Sequence, residues 1–269
     1  MQEFPYNRPM LPITEFDPDP RAIIEPAAPR LSIAAPERAV VCFFPEVLAD
    51  LVERGLLVQV GEDRTEIGRH PIYRYTHAGV DILVMHPGVG APLAVGLTES
   101  LIAIGVKYMI ACGSCGVLNA EIAAGHPVVL TSAVRDEGTS YHYLPPAREA
   151  YPHRDGVAAL EEACKAAGID YRLGKAWTTD AFFRETTARR AMRMAEGCDV
   201  VEMEASAFFA LAEFRGIVFG QIVYGGDLVV PEGWDERNFT GRLSDRELLF
   251  RLAVDACARL GEGYSTTAI

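Results

Sequence analysis

Residues 82–116 read ILVMHPGVGAPLAVGLTESLIAIGVKYMIACGSCG, and this stretch decides the fold. Ile82 to Met85 is a short apolar run with no polar alternation, which predicts a strand buried on both faces. A glycine-marked junction follows, His86-Pro87-Gly88-Val89-Gly90, and then a helical stretch from Ala91 to Ile104. A second apolar run, Tyr108 to Ala111, leads into a second junction, Gly113-Ser114-Cys115-Gly116. Strand, helix and strand in this order make a parallel crossover unit.

The same alternation extends in both directions. Val40 to Phe44, Val128 to Thr131 and Ile217 to Tyr224 read as further buried strands, and Ile72 to Thr76 forms a hairpin with Ile82 to Met85 across Ala78-Gly79. Helices are predicted at Pro45 to Arg54, Gly156 to Ala167, Thr186 to Ala195, Glu204 to Arg215 and Asp245 to Leu260. Gly168 and Gly216 stand just past two of these, where a left-handed cap is wanted. The fold class is therefore α/β, a single domain with a central mixed, largely parallel sheet flanked by helices. Eight of the prolines precede residue 37, and proline lacks the amide that helices and central strands need. Residues 1–38 are accordingly expected to be a proline-rich arm, with Tyr6, Met10, Leu11, Phe16, Ile23 and Ile24 to bury, either as a loose tail or against a neighbouring subunit. Residues 39–269 are expected to form the folded domain.

Composition excludes several classes of function. The chain has 269 residues, 49% hydrophobic, and 25 Lys plus Arg against 37 Asp plus Glu, a net charge of −12. An acidic surface repels phosphate backbones and anionic lipid, so no nucleic-acid or membrane partner is expected. No apolar run reaches the ~18 residues of a membrane span, and the N-terminus lacks a secretory pattern. Six cysteines embedded in apolar segments fit packing residues in a reducing, cytoplasmic setting. Cys112 and Cys115 have no second Cys or His pair at zinc-site spacing, and the six histidines show no i, i+4 pair around a glutamate, so no metal is expected.

In open α/β sheets ligands collect at the carboxyl ends of strands. Four junctions fall there: His86 to Gly90, Gly113 to Gly116, Glu202-Met203-Glu204, and Gly225-Gly226-Asp227. Gly88 and Gly90 permit close backbone approach beside a helix N-terminus, but the third glycine and the acidic residue of a dinucleotide fingerprint are misplaced. Val201-Glu202-Met203-Glu204-Ala205 resembles the ribose motif of the nucleoside phosphorylase and nucleosidase superfamily, which includes purine nucleoside phosphorylases, uridine phosphorylases and methylthioadenosine nucleosidases. Gly113 to Gly116 is similar to that family's central glycine turn, Thr179-Asp180-Ala181-Phe182-Phe183 to its base-stacking segment, and Gly226-Asp227 to its catalytic acid. The resemblance runs from about Val40 to Leu260.

It implies cleavage of an N-glycosidic bond through an oxocarbenium-like sugar, with negative charge gathering on the departing base. By resemblance Asp227 protonates or hydrogen-bonds that base, Glu204 and Met203 hold the ribose with His142, and Phe182 and Phe183 stack on the base with Cys115 and Gly116 beside it. Ser114 and Gly90 face the nucleophile. Each has a plainer alternative: Asp227 capping a turn, Glu204 at a helix start, Phe183 in the core, and His142 solvated.

Family phosphorylases carry Gly-Asp-Pro-x-Arg after the first strand and an arginine two residues ahead of the glycine turn. Here Phe43-Phe44-Pro45-Glu46-Val47 and Ala111 occupy those places. Pro45-Glu46-Val47 is similar to the nucleosidases' Glu-Glu-Val, which makes Glu46 a general base for water and tilts the reading to hydrolysis. Against that, Asp136 to Tyr143 is similar to a uridine phosphorylase segment, and Arg135, Arg184 or an arginine of another subunit remains open as a phosphate ligand. Thr186 and Ala188 stand where the uridine enzymes read uracil, and Asp227 favours a purine. The expected activity is thus nucleoside cleavage by water. The alternatives are phosphorolysis with phosphate as co-substrate, and a non-catalytic nucleoside-binding paralogue. No other cofactor is implied, and the resemblance implies a homo-oligomer, a dimer or a trimer of dimers. Pro231 to Arg242, with Trp234, is expected to cover the base as a loop.

Overall fold

The structure, a computed structural model, describes residues 11–261; Tyr6 and Met10 lie outside them. Eleven strands form one sheet among the described residues. They are β1 (Arg38–Cys42), β2 (Leu57–Thr65), β3 (Gly68–His77), β4 (Val80–Met85), β5 (Tyr108–Val117), β6 (Pro127–Asp136), β7 (Glu149–Ala150), β8 (Arg172–Thr179), β9 (Val200–Glu202), β10 (Val218–Val230) and β11 (Gly233–Asp235). Six helices accompany them: α1 (Pro45–Glu53), α2 (Ala91–Ala103), α3 (Arg154–Ala166), α4 (Thr187–Ala195), α5 (Ala205–Arg215) and α6 (Leu243–Arg259).

The sheet is mixed, with order β11-β10-β6-β8-β9-β5-β1-β4-β3-β2. Its centre, β4-β1-β5-β10, is parallel. Because β10 pairs with β5 as well as with β6, strands β5, β10, β6, β8 and β9 close into a ring; β1, β4, β3 and β2 continue outward from β5, while β7 pairs with β6 and β11 with β10.

Strand alternation explains the layers. Ala39 and Val41 face one core with Met109 and Ala111, together with Leu97 of α2 and Phe208 and Phe209 of α5. Val40 and Cys42 face the other with Ile110 and Cys112, against Leu48 of α1, Leu160 of α3 and Phe250 of α6. Each large side chain fully buried this way contributes about 1.5–3 kcal/mol. Where α3 crosses β10, a Cβ on Gly156 would stand 2.6 Å from the Phe219 carbonyl oxygen, and one on Gly220 2.9 Å from that of Gly156. Only two glycines let these backbones touch.

The β3–β4 hairpin turns on Ala78 (φ 48°) and Gly79 (φ 83°), the pair of positive values that a two-residue primed turn requires. Gly216 ends α5 in the left-handed conformation. The six helices lie where the periodicity puts them, within a few residues at each end. Several strands run longer than their apolar runs, while β1 starts two residues before Val40 and ends at Cys42, short of Phe43 and Phe44. β5 continues through Gly113-Ser114-Cys115-Gly116, and β10 through Gly225-Gly226-Asp227, so these two junctions are parts of strands and not turns after them. Residues 231–242 are not an unstructured loop either: β11 pairs with β10, and a 3-10 turn spans Phe239–Gly241. Between residues 11 and 37 the regular structure is one 3-10 turn, Pro12–Thr14, and Ser32 N–H donates to the Val60 carbonyl.

Candidate active site

A cavity of about 840 Å³ opens where the inner ends of β5, β9 and β10 meet, within the ~300–1,000 Å³ usual for small-molecule sites. Its wall includes Ser114, Cys115, Gly116, Phe182, Phe183, Met203, Glu204 and Asp227. The structure therefore brings together most of the residues picked out from the sequence. Phe43, Glu185, Gln221 and Trp234 also line it.

The short strand β9 places the two glutamates. Glu202 is buried, and its Oε1 accepts from the Thr178 hydroxyl (2.5 Å) while Oε2 accepts from the amides of Glu204 (2.8 Å) and Ala205 (2.6 Å). It thus serves as the acceptor that opens α5, and Glu204, at the cap position, makes no side-chain cap there. Its Oε1 reaches across to accept from Gly90 N–H at 2.5 Å. That accounts for Gly90, which does not line the cavity: its amide, at the start of α2 with φ 93°, orients Glu204. Glu204 is 6% exposed. Burial, and then the neighbouring Glu202 carboxyl, push its pKa up, against the pull of the Gly90 and Met203 amides. Such a group binds best to a partner that donates hydrogen bonds, as a diol does.

At the other end Asp227 Oδ2 accepts from the Trp234 indole N–H at 2.6 Å. Glu185 faces it, its pKa pushed up to about 7 by burial and then by the charge of Asp227. Phe182 and Phe183 lie at the mouth, half-exposed and exposed, with ring centroids 4.2 Å apart. A Cβ on Gly116 would stand 2.9 Å from Val201 Cγ1 and 3.6 Å from Asp227 Oδ2, so glycine keeps that wall open. Cys115 is buried, and its thiol donates to the Tyr224 carbonyl.

Two expected residues stand elsewhere. Glu46 is ion-paired with Arg246 of α6 and does not line the cavity; a carboxylate held by a buried guanidinium outside the cavity is not placed to activate water within it. His142 is the exposed last residue of the 3-10 turn Thr139–His142 and is likewise not part of the wall. Arg135 is committed to Ser140 and to the carbonyls of Leu144 and Pro145, and Arg184 is exposed beyond Phe183. Among the described residues no lysine, arginine or histidine lines the cavity.

Residues 37–264 match the model of the Phosphorylase superfamily. The chain belongs to that superfamily. It is 31% identical over 202 residues to a guanosine phosphorylase of Halorubrum lacusprofundi, covering 75% of this chain and 79% of that one. It is 28% identical over 211 residues to a uridine phosphorylase of Treponema pallidum, covering 74% and 79%. In fold it is similar to a purine nucleoside phosphorylase from Toxoplasma gondii solved with immucillin-H (TM-score 0.73, 22% identity, 84% of this chain and 92% of that one). A uridine phosphorylase from Vibrio fischeri gives a TM-score of 0.67 at 23% identity, covering 83% and 91%. This superfamily member is an enzyme of N-glycosidic bond cleavage, and its relatives correct the tilt towards water: each named here is a phosphorylase.

Glu185 and Gln221 stand in the wall although neither belongs to the four junctions. Gln221 is the polar side chain inside the apolar run Val218 to Tyr224, and Glu185 a carboxylate two residues past Phe183.

Proposed function

We propose that this enzyme splits a purine nucleoside by phosphorolysis, giving the free base and a sugar 1-phosphate. One observation carries the reading: Glu204 and Asp227 face a single cavity of about 840 Å³, in a chain whose relatives are phosphorylases of guanosine and uridine. Glu204 grips the ribose diol, with Met203 against the sugar. Phe182 and Phe183 stack on the base, and Cys115 and Gly116 flank it. Asp227 supplies a proton or hydrogen bond to the departing nitrogen, and Glu185 adds a second carboxyl that matches the N–H edge of a purine. Ser114 faces the nucleophile or the base edge. A phosphate oxygen bonds to C1′ as the C1′–N bond breaks; the electron pair passes to the base, and the proton that hydrogen phosphate gives up balances the one the base gains.

Hydrolysis is the second reading, favoured by the wall without a basic side chain. Incubating a panel of nucleosides with and without phosphate and separating the products decides between them. Sugar 1-phosphate supports phosphorolysis, free ribose without phosphate supports hydrolysis, and binding without cleavage defeats both. A homo-oligomer is also proposed, supported by the exposed Leu11, Ile23 and Ile24 of the arm; sedimentation of the full chain against residues 39–269 tests it.

A further inference from the structure

We infer that Gln221 holds the phosphate nucleophile, an assignment that rests on the phosphorolytic reading. Gln221 is 2% exposed, stands in β10 and lines the cavity. Its Oε1 is buried with no hydrogen-bond partner among the described residues. Buried side-chain oxygens are nearly always paired, and an orphan in the wall of a ligand-sized cavity points to a partner that arrives with the ligand. Strand register sets what that partner is. Gln221 pairs with Ala111 of β5, and the next pairs along are Ile222 with Cys112 and Val223 with Gly113. The amide therefore rises beside the methyl of Ala111, close to where β5 delivers Gly113 and Ser114 to the wall. It precedes Asp227 by six residues on β10, at most about 20 Å of extended chain and less across the bulge between Gly225 and Leu228, so the two groups line the cavity at separate levels of one strand. In a displacement at C1′ the nucleophile enters opposite the leaving base. With Asp227 at the base, the end where Gln221 stands is the nucleophile's.

An amide carries two donors and an acceptor, and its terminal bond turns between two broad wells. Hydrogen phosphate offers both complements: P–O⁻ oxygens accept from the NH₂ and the P–OH donates to Oε1. A guanidinium presents donors alone, so the amide grips the same ligand without a positive charge. The grip is weaker per contact, because a neutral donor replaces a charged one.

The test compares wild type with Gln221→Met, which keeps length and apolar bulk but has no amide, and with Gln221→Glu. Initial rates are measured against phosphate and against nucleoside separately, and thermal shift is followed with inorganic phosphate alone. The expected result is a KM for phosphate raised at least tenfold in Gln221→Met and further in Gln221→Glu, with the KM for nucleoside held within twofold and the phosphate-induced shift lost. An unchanged phosphate KM in a Gln221→Met enzyme that keeps its nucleoside KM overturns the assignment while leaving phosphorolysis intact. A wild type that makes no sugar 1-phosphate overturns the phosphorolytic reading and this assignment with it. A Gln221→Met protein that does not fold shifts the decision to Gln221→Glu, where an unchanged phosphate KM overturns the assignment and a raised one supports it.

Discussion

The Trp234 indole N–H donates to Asp227 Oδ2 across 2.6 Å, joining the exposed strand β11 to a carboxyl of the cavity wall. One oxygen of Asp227 is thereby fixed, which leaves the other for the hydrogen bond to the base proposed above. Trp234 is 61% exposed, so the bond is worth less than the ~1.5–3 kcal/mol of a buried hydrogen bond to a charged group. Trp234→Phe keeps the ring and removes the donor. It is expected to lower kcat/KM about tenfold, or ~1.4 kcal/mol. The chain has two tryptophans, and Trp177 is fully buried with its own partner, Asp136. A change of emission on nucleoside binding should therefore vanish in Trp234→Phe, and a titration that keeps it would detach Trp234 from the site.

Asp227→Asn preserves shape and the Trp234 contact but cannot give up a proton. General acid catalysis is worth typically 10²–10⁴-fold. Turnover should drop by at least a hundredfold, while the dissociation constant for nucleoside, measured calorimetrically, moves less than threefold. Retained turnover would falsify the assignment of Asp227.

Helices and the central strands were legible because their burial repeats: Ala91 to Ile104 and Val40 to Phe44 show it without any tertiary knowledge. β2 and β8 were not, since Leu57–Thr65 and Arg172–Thr179 are rich in polar and charged residues and become strands by pairing with β3 and β6. The site divided along the same line. Glu204, Asp227 and Ser114 sit within local motifs that the chain announces. Glu46 sits in one too, yet Arg246, two hundred residues away, takes its carboxylate; no local pattern holds that partner. Gln221 matters through an absence, the missing partner of Oε1, which only three dimensions reveal.

The buried carboxyls give stability a definite pH slope. Burial raises Glu202 and Glu204 above glutamate's ordinary 4.5, and Glu185 to about 7. A folded-state pKa above the unfolded one means that the folded chain binds more protons between the two values. Stability therefore falls as pH rises from about 4.5 through 7. The ligand-free enzyme is expected to melt at a lower temperature at pH 8 than at pH 6. Glu204→Gln, which still accepts from Gly90, should flatten that slope, and differential scanning at half-unit pH intervals reads it; equal slopes in the two proteins would refute the role of Glu204 in it.

Glu46→Gln separates support of the fold from catalysis. Arg246 is buried and holds three groups at once: the Glu46 carboxylate, the Tyr224 hydroxyl and the Phe239 carbonyl. It thereby pins the start of α1 and the 3-10 turn after β11 to β10. Neutralising Glu46 removes the one charged partner and leaves the guanidinium with neutral acceptors alone. Because the Glu46 side chain is itself 38% exposed, solvent screens the loss to about 1 kcal/mol, or a Tm lower by about 2 °C in a chain of this size. The carboxylate does not line the cavity, so kcat with phosphate should stay within threefold of wild type. A hundredfold fall in kcat with an unchanged Tm would return Glu46 to the chemistry, since support of the fold alone cannot produce that pattern.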